Sequence, residues 1–197
     1  MARQQESSNT PLALRDRLRT PDFVFYWISQ YFDFKIDLSA DSESTKCPMF
    51  FDEKTNALKQ SWHKVKGDGF CNPPYSKPKV WLEKAWHEAR CGFRSVFLIP
   101  TPNGEDAYRD HVFGNASEII FINGRISFIA PEDFTIKGKN DKPDRHFKKG
   151  DPMTGNTRGS CFVIYGRKHA GHTRTSWVNR DDMEAEYQAF LERQAAA

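Results

Sequence analysis

The run Ser95-Val96-Phe97-Leu98-Ile99-Pro100 limits the possible folds more than any other stretch. Consecutive large apolar residues leave no polar face, so a strand made from them must be covered on both sides. A strand of this kind sits in the middle of a parallel sheet, between layers of helix. The flanking patterns agree. Phe34, Ile36 and Leu38 alternate with Lys35 and Asp37, which predicts a strand over 34–38. A second short strand is expected within 46–51, a third over 69–71, and a last one over 160–165. Leu82, Ala85, Trp86 and Ala89 recur at i, i+3, i+4, i+7 and predict a helix over 79–90 with one buried face. His87-Glu88 falls partly off that face and reads as a solvated pair. Phe23, Trp27 and Tyr31 mark an earlier helix, opened by Thr20 as cap, Pro21 as first residue and Asp22 near the positive end of the dipole. A further helix is expected over 105–113. Asn123-Gly124, between apolar runs at 118–122 and 126–129, predicts a hairpin. Asn179 caps a closing helix whose apolar stripe is Met183, Tyr187, Phe190 and Leu191.

The chain has 197 residues, enough for one domain with a full core. We divide it into a flexible tail over 1–19, a domain over 20–179 and a C-terminal helix over 180–197. A net charge of +3 permits nucleic-acid binding without demanding it, so any basic face must be local. The segment 131–159 is the candidate: Lys137, Lys139, Lys142, Lys148 and Lys149 stand there among Gly, Pro and Asn. Five acids are interspersed, so a DNA-contacting insert and a solvated loop both fit the composition. Arg125, beside the Asn-Gly turn, is a further candidate contact. No stretch approaches 18 apolar residues and no signal-peptide core follows Met1, so a soluble cytoplasmic protein without membrane contact is expected. Cys47, Cys71, Cys91 and Cys161 form no Cys-x-x-Cys pair and have no His at ligand spacing. Reduced thiols and no structural metal are expected.

The candidate chemistry lies in Asn72-Pro73-Pro74-Tyr75, between the third strand and the helix that follows. A bare Pro-Pro-Tyr is most often a rigid turn. With Asn before it, the segment offers more. An exocyclic ring amine is a poor nucleophile because its lone pair is delocalised into the ring. Acceptors for its two N–H bonds draw electron density towards nitrogen. The Asn72 side-chain carbonyl and the Pro73 backbone carbonyl are such acceptors, held by two prolines of fixed φ. Tyr75 supplies a flat face for an extruded base.

This segment resembles motif IV of the S-adenosylmethionine-dependent amino-methyltransferases, in the Asn-Pro-Pro-Tyr form typical of enzymes acting on adenine N6. Thr20-Pro21 at a helix start resembles their motif X, near the methionine carboxylate of the cofactor. Asp37-Leu38-Ser39-Ala40 stands where motif I would be, without its glycine-rich turn. From about Thr20 to Tyr165 the order of motifs resembles the Dam-like DNA N6-adenine methyltransferases of phages. The resemblance implies an α/β fold: a three-layer Rossmann-like class I sheet, mostly parallel, with an antiparallel final strand. It implies S-adenosylmethionine as methyl donor, double-stranded DNA as partner and base flipping, in a host cytoplasm if phage-encoded. It also implies cofactor contacts at Thr20, Pro21, Asp37 and Ser39, with Asp52 at the end of the second strand facing the ribose. Cytosine N4, RNA or a protein amide are alternative substrates. A non-catalytic DNA-binding relative is the alternative from another class, kept open by the missing glycines.

Overall fold

The computed structural model describes residues 10–102, 106–138, 143–166 and 172–196. The chain begins with α1 (Leu12–Arg15), α2 (Asp22–Ser29), β1 (Phe34–Asp37) and β2 (Met49–Phe50). Short 3-10 turns follow at Ala57–Lys59 and Trp62–Lys64, then β3 (Asp68–Cys71), α3 (Pro78–Arg90), β4 (Ser95–Pro100) and α4 (Asp106–His111). The remainder comprises β5 (Glu118–Asn123), β6 (Phe134–Ile136), β7 (Arg145–Phe147), β8 (Ser160–Tyr165), β9 (Arg174–Asn179) and α5 (Arg180–Ala195).

Seven strands form one sheet in the order β2-β1-β3-β4-β8-β5-β9, while β6 and β7 pair separately as an antiparallel ribbon. Every pairing within the large sheet is parallel except those made by β8. The architecture is α/β with a mostly parallel sheet, as expected. As the apolar run required, β4 is buried and central. Its alternate residues serve two cores: Phe97 and Ile99 pack with Trp81, Leu82 and Ala85 of α3 and Tyr108 of α4. Val96 and Leu98 pack with Val24, Trp27 and Ile28 of α2 and Met183 of α5.

Several local expectations change. The antiparallel strand is β8, but it is not the last. β9 follows it and runs parallel to β5 at the sheet edge. Its sequence, Arg-Thr-Ser-Trp-Val-Asn, is mostly exposed and so lacks the apolar run that marks a buried strand. The hairpin over 118–129 does not form. Gly124 turns the chain with φ +95°, but both edges of β5 are already taken by β8 and β9. Ile126 and Phe128 pack into the α2–α5 core instead. The insert 131–159 holds the β6–β7 ribbon, backed by a small core of Ala130, Ile136, Phe147 and Met153. Thr20 is buried and is not the cap of α2; Pro21 holds that position, without a side-chain cap bond. Tyr31 lies past the end of α2 and is exposed. His87-Glu88 is not a solvated pair, because Glu88 is buried and accepts from the His63 backbone N–H (3.0 Å) and Lys84 Nζ (2.6 Å).

Residues 11–19, expected as the end of a flexible tail, are docked. They carry α1, and Arg19 exchanges two backbone hydrogen bonds with Ile129.

Candidate active site

The carboxyl ends of β2, β1 and β3 lie side by side, and each ends in a polar segment. In an open α/β sheet this edge is where ligands bind. Across it these ends carry Asp52, then Asp37 and Ser39, then Asn72, so three separately expected site segments fall in one row.

Cys71 closes β3, and Pro73 has no N–H to extend the ladder, so the strand stops there. The released loop is anchored from the N-terminal segment. Asn72 Nδ2 donates to the Leu18 carbonyl at 3.2 Å, and the Ser76 backbone N–H donates to Asp16 Oδ1 at 3.0 Å. With its amide nitrogen engaged, Asn72 presents its Oδ1 as an acceptor, which makes no hydrogen bond among the described residues. Pro73 is buried and Asn72 half-buried. Tyr75 donates its hydroxyl to the Leu98 carbonyl at 3.4 Å and stands edge-to-face with Phe128, ring centres 6.1 Å apart. Burial pushes its phenol above the ordinary range, so it remains a protonated donor. Burial, with Asp37 as a lesser cause, also drives the Cys71 thiol well up. A group so reluctant to ionise is a poor nucleophile.

Asp37 is 4% exposed at the end of β1. Its carboxylate accepts the backbone N–H of Ser39 at 3.3 Å and of Lys46 at 3.2 Å, bracketing the β1–β2 loop. Burial nevertheless outweighs these bonds and pushes its pKa up to about 6. This loop accounts for the missing glycines. No residue from Leu38 to Lys46 has positive φ, and the turn is organised around the Asp37 carboxylate. Lys46 Nζ pairs with Asp22 at the start of α2. The adjoining cleft is lined by Arg19, Thr20, Asp22, Glu43, Ser44 and Lys46, with Ile129 and Gly150 on its far wall. Pro21 is buried behind Thr20. Asp52 is half-buried and accepts both the N–H (2.7 Å) and the hydroxyl (2.6 Å) of Thr55, which hold its carboxyl below the usual range.

The expected cations are less concentrated. Arg125 is exposed where the chain leaves β5, and a Cβ built on Gly159 would lie 3.0 Å from its Nη1 and 3.1 Å from Thr101. That places the guanidinium beside the carboxyl end of β4. Lys137 pairs with Asp144 (2.6 Å) and Lys149 with Glu43 (2.7 Å), which also holds Arg19 (2.9 Å). Lys148 is exposed at the end of β7, while Lys139 and Lys142 lie outside the described residues. Sequence reasoning missed Asp16, Leu18, Glu43 and Lys46. Leu18 acts through its backbone carbonyl, which no side-chain pattern announces. Lys46-to-Asp22 and Glu43-to-Arg19 join segments whose proximity only the fold creates.

Comparison with known proteins gives the family. The family model described as DNA N-6-adenine-methyltransferase (Dam) matches residues 7–190. The chain is 29% identical over 178 residues to the DNA N-6-adenine-methyltransferase of Escherichia phage T1, covering 82% of this chain and 67% of that protein. It is 33% identical over 141 residues to the DNA N-6-adenine-methyltransferase of Haemophilus phage HP1, covering 69% of this chain and 79% of that protein. Over 65 residues it is 38% identical to the putative methyltransferase YfdM of Escherichia coli K12, covering 30% of this chain and 71% of that protein. The family match spans all the segments that build the crevice, and the chain belongs to the DNA N-6-adenine-methyltransferase (Dam) family.

Proposed function

We propose that the protein transfers a methyl group from S-adenosylmethionine to N6 of an adenine extruded from duplex DNA, with the base held at Asn72–Tyr75. The observation that carries this reading is the orientation of Asn72. Its amide nitrogen is committed to the Leu18 carbonyl, so its oxygen remains to accept from an incoming amine. With the Pro73 carbonyl it provides two acceptors for the two N–H bonds of adenine N6. Tyr75 is fixed by Leu98 and Phe128 and stacks on the base; Pro74 stiffens the loop between them. The residues act by positioning and by electrostatic stabilisation of the developing charge, with no covalent enzyme intermediate.

The seven-stranded sheet, with helices contributing to both cores, is read as the three-layer Rossmann-like sheet of class I methyltransferases. The side chains along the β1–β2 edge fit the cofactor chemically. Arg19 and Lys46 suit a carboxylate, Asp22 and Glu43 suit an ammonium, and Asp37 with Asp52 suits an ammonium or ribose hydroxyls. Thr20 lines the amino-acid end, Pro21 fixes the chain beside it, and Ser39, bonded to Asp37, is the further contact proposed there. S-adenosylmethionine, when bound, supplies an electrophilic methyl on a sulfonium. Asn72, one strand away from Asp37, holds the amine towards it. Arg125 and the lysines of the 131–159 segment, Lys137, Lys139, Lys142, Lys148 and Lys149, are proposed to meet DNA phosphates, where each neutralised phosphate strengthens salt-sensitive binding.

The test is transfer of labelled methyl to unmethylated duplex DNA followed by nucleoside analysis, with wild type and Asn72→Ala. N6-methyladenine from wild type, reduced at least about 100-fold in the variant, is expected for loss of a transition-state hydrogen-bond partner. N4-methylcytosine would change the substrate and keep the site. Failure of S-adenosylhomocysteine to raise the melting temperature would sink the enzyme reading.

A further inference from the structure

Seven large apolar side chains are strongly exposed among the described residues. Five have places unconnected with the Asn72–Tyr75 loop. Tyr31 packs at a tilt against Trp27 past α2, Met49 lies on the edge strand β2, and Phe113 follows α4. Trp177 stacks on Phe121 at the other edge of the sheet, and Leu191 is on α5. The remaining two, Leu12 (51% exposed) and Val80 (43% exposed), belong to segments joined to that loop.

Leu12 is the better placed. It opens α1, four residues before Asp16, and residues four apart share a side of a helical turn. Asp16 is the residue whose carboxylate takes the Ser76 N–H, directly after Tyr75. Two residues further on, the Leu18 carbonyl takes the Asn72 amide. Asp16 and Leu18 therefore form one rim of the proposed base pocket, and Leu12, one helical turn before Asp16, is the exposed large aliphatic side chain beside it. No packing explains it, since Leu14 supplies the buried contact of α1.

Resting on the base-extrusion reading above, we infer that Leu12 is a positioning residue that enters the duplex and fills the gap left by the departing adenine. Extrusion breaks stacking on both sides of the target. An apolar side chain inserted at that step offsets part of the loss and opposes the base's return. Leu12 touches DNA but not the reacting atoms. Its effect falls on the paired-to-extruded equilibrium and leaves cofactor binding alone.

The experiment compares wild type, Leu12→Ala, Leu12→Met and Val80→Ala on two duplexes that share a target site mapped beforehand. In one the target adenine is paired with thymine. In the other it lies opposite an abasic site, where extrusion costs little. Leu12→Ala is expected to lower kcat/KM on the paired target by roughly tenfold, the scale of burying part of a leucine side chain. The loss should vanish opposite the abasic site, Leu12→Met should retain most of the activity, and S-adenosylhomocysteine affinity should not change. Equal loss on both duplexes, no loss on either, or a loss confined to Val80→Ala would overturn the assignment. A target replaced by 2-aminopurine reports extrusion directly. If wild type neither brightens it nor favours the abasic duplex, base extrusion itself fails, and this inference falls with it.

Discussion

Replacing Asp37 with Asn should reveal a buried carboxylate that the apo fold would be more stable without. The pKa of Asp37 rises from 3.8 to about 6 because burial disfavours its charged form. An acid with a raised folded pKa stabilises the fold fully below its unfolded value, and that contribution is lost as pH climbs through the folded value. From well below pH 3.8 to well above pH 6 the protein should therefore lose about 3 kcal/mol through this group alone, at about 1.36 kcal/mol per unit. Asp37→Asn carries no charge at any pH. Its amide oxygen still accepts one of the N–H bonds from Ser39 and Lys46, while its NH2 faces the other, at a cost of about 1–2 kcal/mol independent of pH. The variant should accordingly be slightly less stable than wild type near pH 4 and more stable at pH 7.5. Urea unfolding at pH 4, 5, 6 and 7.5 gives the variant-minus-wild-type difference, in which other titrating groups cancel. A difference that swings by about 2.4 kcal/mol across this range is expected. One that stays flat within about 0.5 kcal/mol would show that Asp37 ionises normally and would refute the burial argument. Cofactor affinity should move the opposite way, falling in the variant at neutral pH, because a charge retained at a stability cost is the mark of a functional site.

Two further substitutions test the frame around the site. Gly166→Ala places a Cβ against the Phe93 carbonyl and the Arg94 backbone, at a residue with φ +96°, and should cost about 3 kcal/mol in denaturant unfolding; a cost below about 1 kcal/mol would contradict the packing. Asp68→Ala removes the partner of Arg94 (Nε to Oδ1, 2.6 Å) and of the Asp33 N–H (2.9 Å) at the amino end of β3. With Arg94 about one-third exposed, a loss of about 2 kcal/mol is expected, and methyl transfer per folded molecule should be unchanged. Reduced transfer at full folding would mean that this end of the sheet influences the site.

What was legible in the sequence follows from what leaves a one-dimensional pattern. The apolar run of β4, the alternation of β1 and the helical stripe of α3 each report burial on known faces, and all three elements appear where expected. The Asn-Pro-Pro-Tyr segment was legible as a loop between β3 and α3 because its prolines end the strand, and the chemistry proposed for it needs only four adjacent residues. β9 was not, since an edge strand with one solvated side needs no apolar run. The Asn-Gly hairpin was misread because turn chemistry cannot report that both edges of β5 are occupied from elsewhere in the chain. The partners of the site were hidden for a similar reason. Leu18 lies 54 residues from Asn72 and contributes a carbonyl that every residue type possesses. Departure from the glycine-rich turn was visible, but its replacement by a carboxylate holding two backbone N–H groups required coordinates.

The placement of β8 bears on how the molecule is made. It is the eighth strand in the chain, yet it sits between β4 and β5, bonded to both. A nascent chain that has reached Asn156 contains β1 to β5 and the ribbon, but the strand that joins β4 to β5 has not been synthesised. Until it arrives, two inner edges of the sheet are open, each a row of unpaired backbone groups. The protein therefore completes its sheet by inserting a strand into a waiting slot, and the long excursion through 124–159 must be finished first. Synthesis order and sheet order are opposed at the middle of the fold. Loss of the C-terminal fifth would remove an inner strand and not merely a rim.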